Sequence, residues 1–92
     1  MALTQIDQQA FQSIVAKHKQ VQDYISQQQT AVANEVDGAK SQNSGSMINS
    51  LVAVHDDWDQ QMSDIIRNIE SMIEAMQTTQ ARLAAQDSSN HA

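Results

Sequence analysis

The segment His55-Asp56-Asp57-Trp58-Asp59 is the part of this chain richest in groups that could do chemistry. His55 and Asp59 are four residues apart, so on a helix they would share a face, as two ligands of one metal do. They make only half a site, because no neighbouring Cys, His or Glu completes it. The expectation is that His55 lies partly buried in a helical seam while Asp56 and Asp57 face solvent. His18 reads the same way. Ser/His/Asp catalysis needs a concave site with an oxyanion hole, which long helices do not readily form. Glycine motifs for nucleotide phosphates are absent. No catalytic residue, metal or cofactor is therefore expected.

Trp58 is the single tryptophan, and Met47, Met62, Met72 and Met76 lie on or beside the same apolar stripe. Large apolar anchors and flexible thioethers build cores, and they also suit a surface that must fit a non-identical partner.

The elements that position these residues are legible from periodicity. In helix 1, placing Phe11 at heptad position a puts His18, Ile25, Val32 and Ala39 in the same row. Ile14, Val21, Gln28 and Glu35 then fall at d, and Val15 and Val36 at e. In helix 2, Ile48, His55, Met62, Ile69, Met76 and Leu83 share row a. Leu51, Trp58, Ile65, Met72 and Thr79 fall at d, and Val52, Ile66 and Ile73 at e.

Between the two runs lies Ser41-Gln42-Asn43-Ser44-Gly45-Ser46, small and polar, with one of only 2 glycines. The pattern predicts an all-α antiparallel two-helix hairpin: helix 1 over about 5–40, a turn at 41–46, helix 2 over about 47–86, and a polar tail at 87–92. Thr4 is the expected cap of helix 1, with Asp7 returning the bond, and Gly38 its expected fraying point. Matching rows about the turn places Phe11 near Met76, Ile25 near Met62 and Val32 near His55.

Each stripe is three heptad positions wide, broader than one helix–helix contact needs. A lone hairpin would leave part of it in water along roughly 50–60 Å of helix. Two hairpins forming a four-helix bundle would cover it. The expected core and interface residues are Phe11, Ile14, Ile25, Leu51, Trp58, Met62, Ile65, Ile69, Met72 and Met76.

Composition agrees with long helices and a thin core. The 92 residues are 40% hydrophobic but 3% aromatic, with no proline and no cysteine. Of the net charge of −6, residues 1–45 carry −1 and residues 46–92 carry −5. An acidic second half argues against nucleic acid or an anionic membrane as partner. The N-terminus has neither a basic region nor an apolar run, so no secretory signal peptide is expected. No apolar stretch reaches the roughly 20 residues of a transmembrane helix.

In length, architecture and loop position the chain resembles the small Trp-X-Gly (ESAT-like) hairpins exported by type VII secretion. Asn43-Ser44-Gly45 stands where that family has Trp-X-Gly, with Gly45 kept and asparagine in place of tryptophan. Leu51 occupies the place of a frequent Phe, and His55 and Trp58 follow at heptad spacing. Leu83-Ala84-Ala85-Gln86-Asp87 stands where the family carries its export motif, Tyr-X-X-X-Asp/Glu, with leucine for tyrosine.

The resemblance implies a non-enzymatic protein, cytoplasmic before export and then secreted without a cleaved signal peptide. Its partners would be the type VII machinery and a related hairpin, in a heterodimer or a homodimer, the partner supplying the missing tryptophan and tyrosine. The alternatives are a cytoplasmic helical-hairpin adaptor or chaperone, and a homodimeric structural bundle.

Overall fold

A computed structural model describes the backbone of residues 5–89 and the side chains of residues 7–86. The described chain is all-helical, with α1 spanning Gln5–Gln42 and α2 spanning Ser46–Ser89. The Thr4 cap and the last tail residues, 90–92, lie outside the described residues.

Both helices run further than their sequence patterns suggest. α1 continues through Gly38 to Gln42 because its last carbonyls find partners. Ser41 Oγ donates to the Gly38 carbonyl (2.8 Å) and Asn43 Nδ2 to that of Ala39 (3.0 Å). These bonds satisfy acceptors that a helix end leaves open. Asp7 in the first turn and Lys40 in the last also complement the helix dipole.

The connection is short. Gly45 adopts φ +112°, a region open to glycine and costly for a residue with a Cβ. Its carbonyl accepts from the Asn49 amide at 3.2 Å, which starts α2. The non-helical stretch is thus residues 43–45, narrower than the expected 41–46.

The chain divides into two compact units, one of Met1–Val21 with Asn68–Ala92 and one of Gln22–Arg67. In the first, called the end unit here, Val15, Ile69 and Ile73 are buried, with Phe11, His18, Met76 and Leu83 partly buried around them. A groove lined by Gln8 of α1 and by Gln77, Gln80, Ala81 and Ala84 of α2 brings the start of one helix beside the end of the other.

In the second, the turn unit, Val36 is buried and Ile25, Val32, Ile48, Val52, Trp58, Met62 and Ile66 are partly so. Gln22 Nε2 donates to the Ile66 carbonyl and Gln29 Nε2 to the Asp59 carbonyl, each at 3.2 Å. Seven residues forward on α1 match seven back on α2, so the helices pack antiparallel here without a slip of register. These two bonds bracket Ile25 and Met62, and Val32 and His55 line one cleft, as row matching expects.

Candidate partner-binding surface

The seam departs from the expected a/d pairing. Along α1 the covered positions apart from Ala33 are Phe11, Val15, His18, Gln22, Ile25, Gln29, Val32, Val36 and Ala39, which are rows a and e. On α2 the same holds for Ile48, Val52, His55, Asp59, Met62, Ile66, Ile69, Ile73, Met76, Gln80 and Leu83. Row d is left largely outside. Ile14 is 48% exposed, Val21 42%, Leu51 42%, Ile65 40% and Met72 46%. Gln28, Glu35 and Thr79, the polar d positions, are also exposed rather than set in the seam.

Rows d and e flank row a on opposite sides, so a helix can turn either flank toward its neighbour. Here the polar e residues are accommodated by pairing across the seam. The Gln29 amide donates to Asp59 Oδ1 and Ser63 Oγ, both at 3.1 Å, besides the Asp59 carbonyl. On α2 the inward row Val52, Asp59, Ile66, Ile73, Gln80 is the more polar of the two flanks. The other flank is Leu51, Trp58, Ile65, Met72, Thr79, all exposed except the partly covered Trp58. On α2 the less apolar edge is therefore used internally, and much of the more apolar edge is left available.

The residues with chemical potential fall into structural positions. Asp59 Oδ1 accepts from the Gln29 amide. Among the described residues no group of three or more His, Cys, Asp or Glu is placed to hold a metal. His55 is tilted against Trp58 with ring centroids 6.0 Å apart, and its Nδ1 lies 3.8 Å from the exposed Asp56 carboxylate. Its Nε2 is buried with no hydrogen-bond partner. His18 Nδ1 donates to the Ile14 carbonyl at 2.8 Å, one turn back on its own helix.

No protein-family model, curated protein or solved structure matches this chain.

Of the residues expected at the core and interface, Ile69 is buried and Phe11, Ile25, Trp58, Met62 and Met76 are partly buried. Ile14 and Met72 in the end unit, and Leu51 and Ile65 in the turn unit, are exposed. Asn43, Ser44 and Gly45 make the turn, and Asn43 serves as the cap of α1. Leu83 is partly buried in row a, and Asp87 lies one turn on within α2.

Gln22, Gln29 and Ser63 were not legible as seam residues from polarity. A signal existed in spacing: Gln22 and Gln29 continue the seven-residue row of Val15 and Val36. Among the described residues, no helix is long and apolar enough to cross a membrane.

Proposed function

We propose that this chain is a non-enzymatic subunit of a helical-hairpin dimer, exported with a related partner by type VII secretion machinery. The observation that carries the reading is the apolar d flank left exposed once the helices have packed. Full burial of such a side chain contributes about 1.5–3 kcal/mol. Covering the remaining two-fifths of Ile14, Val21, Leu51, Ile65 and Met72 would contribute roughly 1 kcal/mol each on that scale. A second hairpin completing a four-helix bundle supplies such a cover.

The turn supports the same reading. Gly45 sits where a glycine is required by its backbone, at the place of the family's own glycine. Leu83 and Asp87 keep the four-residue spacing of the export motif on one continuous helix, with apolar bulk kept at Leu83 and the ring and hydroxyl of the tyrosine missing. The chain then depends on a partner that carries the tyrosine.

The test is to isolate the native complex and to measure this chain in the culture medium before and after deleting the partner's gene. Export that ceases with the deletion, and is partly restored by Leu83→Tyr, supports the proposal. Undiminished export of the unmodified chain without any partner overturns the role given to Leu83. A chain that never leaves the cytoplasm overturns secretion and favours an adaptor.

A further inference from the structure

Among the described residues, Asn43 is the one asparagine outside a helix. Asn34 sits in α1, and Asn49 and Asn68 sit in α2. After each of those three, the next backbone amide is held in the ladder of its helix. Ser44 lies between Gln42, the end of α1, and Ser46, the start of α2, so its amide belongs to neither ladder. Asn43, Ser44 and Gly45 are all exposed. The Asn43 side chain is held by a bond from Nδ2 to the Ala39 carbonyl at 3.0 Å, at a helix end where fraying opens such bonds readily.

These conditions suit one reaction. An asparagine side chain and the next backbone amide can close a five-membered ring when that amide is free to approach. We propose that Asn43 is a modification site, which loses its side-chain amide without an enzyme through attack by the Ser44 nitrogen. That nitrogen bonds to Cγ of Asn43 and gives up its proton, and Nδ2 departs as ammonia to leave a succinimide. Water then opens the ring at either carbonyl, giving aspartate or isoaspartate at position 43. One water is consumed and one ammonia released, with no oxidant or reductant. The site holds whichever partner the chain takes.

By sequence alone Asp37-Gly38 is the more open junction for the same ring, since glycine has no side chain to obstruct it. α1 runs through both residues, so the Gly38 amide is held and the junction is protected. The fold therefore selects Asn43.

The product weakens the turn. A carboxylate has no hydrogen to donate, so the bond to the Ala39 carbonyl is lost. The new negative charge also stands at the C-terminal end of α1, where the helix dipole repels it. Lys40 lines the same surface groove as Asn43 and Ser44, and an exposed pair of this kind offsets little of that repulsion. Isoaspartate adds a further backbone atom just before the strained Gly45.

The experiment holds the full chain in warm neutral buffer and maps its peptides by mass spectrometry over time, with isoaspartate told from aspartate by electron-based fragmentation. Amide loss at position 43 should run at least roughly tenfold faster than at Asn34, Asn49 or Asn68, because those helices must first open. Ser44→Val sets a branched side chain beside the attacking nitrogen and should slow the loss by at least roughly tenfold, with the far-UV circular dichroism unchanged. Asn43→Asp, the product made directly, should lower the midpoint of thermal unfolding by roughly 2–8 °C, and by more than Asn43→Ala does.

Loss at position 43 no faster than at the helical asparagines overturns the inference, as does aspartate there with no isoaspartate. Isoaspartate arising at position 37 before position 43 overturns the protection assigned to α1. Asn43→Asp as stable as the unmodified chain overturns the weakening of the turn.

Discussion

The side-chain amide of Gln29 bonds the backbone carbonyl and the carboxylate of the same residue, Asp59, across the seam between α1 and α2. With Ser63 Oγ it meets three acceptors while holding only two hydrogens, so one hydrogen is shared. A polar group that finds this many partners can sit in a seam without the cost of an orphaned donor.

Gln29→Ala should therefore cost about 1–2 kcal/mol, since bonds to a charged group lie above the usual range and this pair is part-buried. Replacing Gln29 and Asp59 together by leucine should recover much of that loss. Urea denaturation of the single and double variants measures it through a double-mutant cycle. Strictly additive losses would show that the pair does not couple the helices.

Gly45→Ala should destabilise the chain by roughly 1–2 kcal/mol, because its φ of +112° is strained for any residue with a Cβ. Space is not the obstacle, for a Cβ there would meet nothing within 4 Å. Asn43→Ala should cost about 0.5–1.5 kcal/mol through the lost bond to the Ala39 carbonyl. Thermal unfolding by circular dichroism should rank Gly45→Ala below Asn43→Ala. The reverse order would shift the burden of the turn from backbone conformation to capping.

The two flanks of α2 should respond in opposite ways. Ile73, 3% exposed, should lose about 2–5 kcal/mol on Ile73→Ala. Ile65, 40% exposed, should tolerate Ile65→Asp far better in the isolated chain, yet lose association with its partner. Chemical denaturation paired with analytical ultracentrifugation separates the effects. Partner binding that survives Ile65→Asp would exclude this flank from the interface.

His55→Leu should raise stability by roughly 1 kcal/mol or more, since it removes a buried Nε2 that has no hydrogen-bond partner. The Trp58 contact would keep an apolar neighbour in place of the tilted ring. The midpoint of urea unfolding is the readout. A marked loss instead would mean that the imidazole carries an interaction the free chain depends on.

The alternation of apolar residues at helical spacing, the lack of proline and the small polar loop determined the two helices and the place of the turn. Periodicity suffices there, because a helix is built from bonds within its own segment. The ends were less legible. α1 passes Gly38 because Ser41 and Asn43 supply bonds to its last carbonyls, and such local bonds leave no trace in hydropathy.

The choice of flank was decided only by tertiary structure. Rows d and e lie on either side of row a, and the sequence shows both as parts of one broad stripe. Which one turns inward depends on how α2 is rotated about its axis. In the turn unit the short connection through Gly45 and the bonds of Gln22 and Gln29 to α2 hold that rotation. Polarity by itself points the other way, placing Gln29 and Asp59 outside and Leu51 and Ile65 inside. Pairing between the two polar residues makes their burial inexpensive, and a pairing exists only once the helices have met.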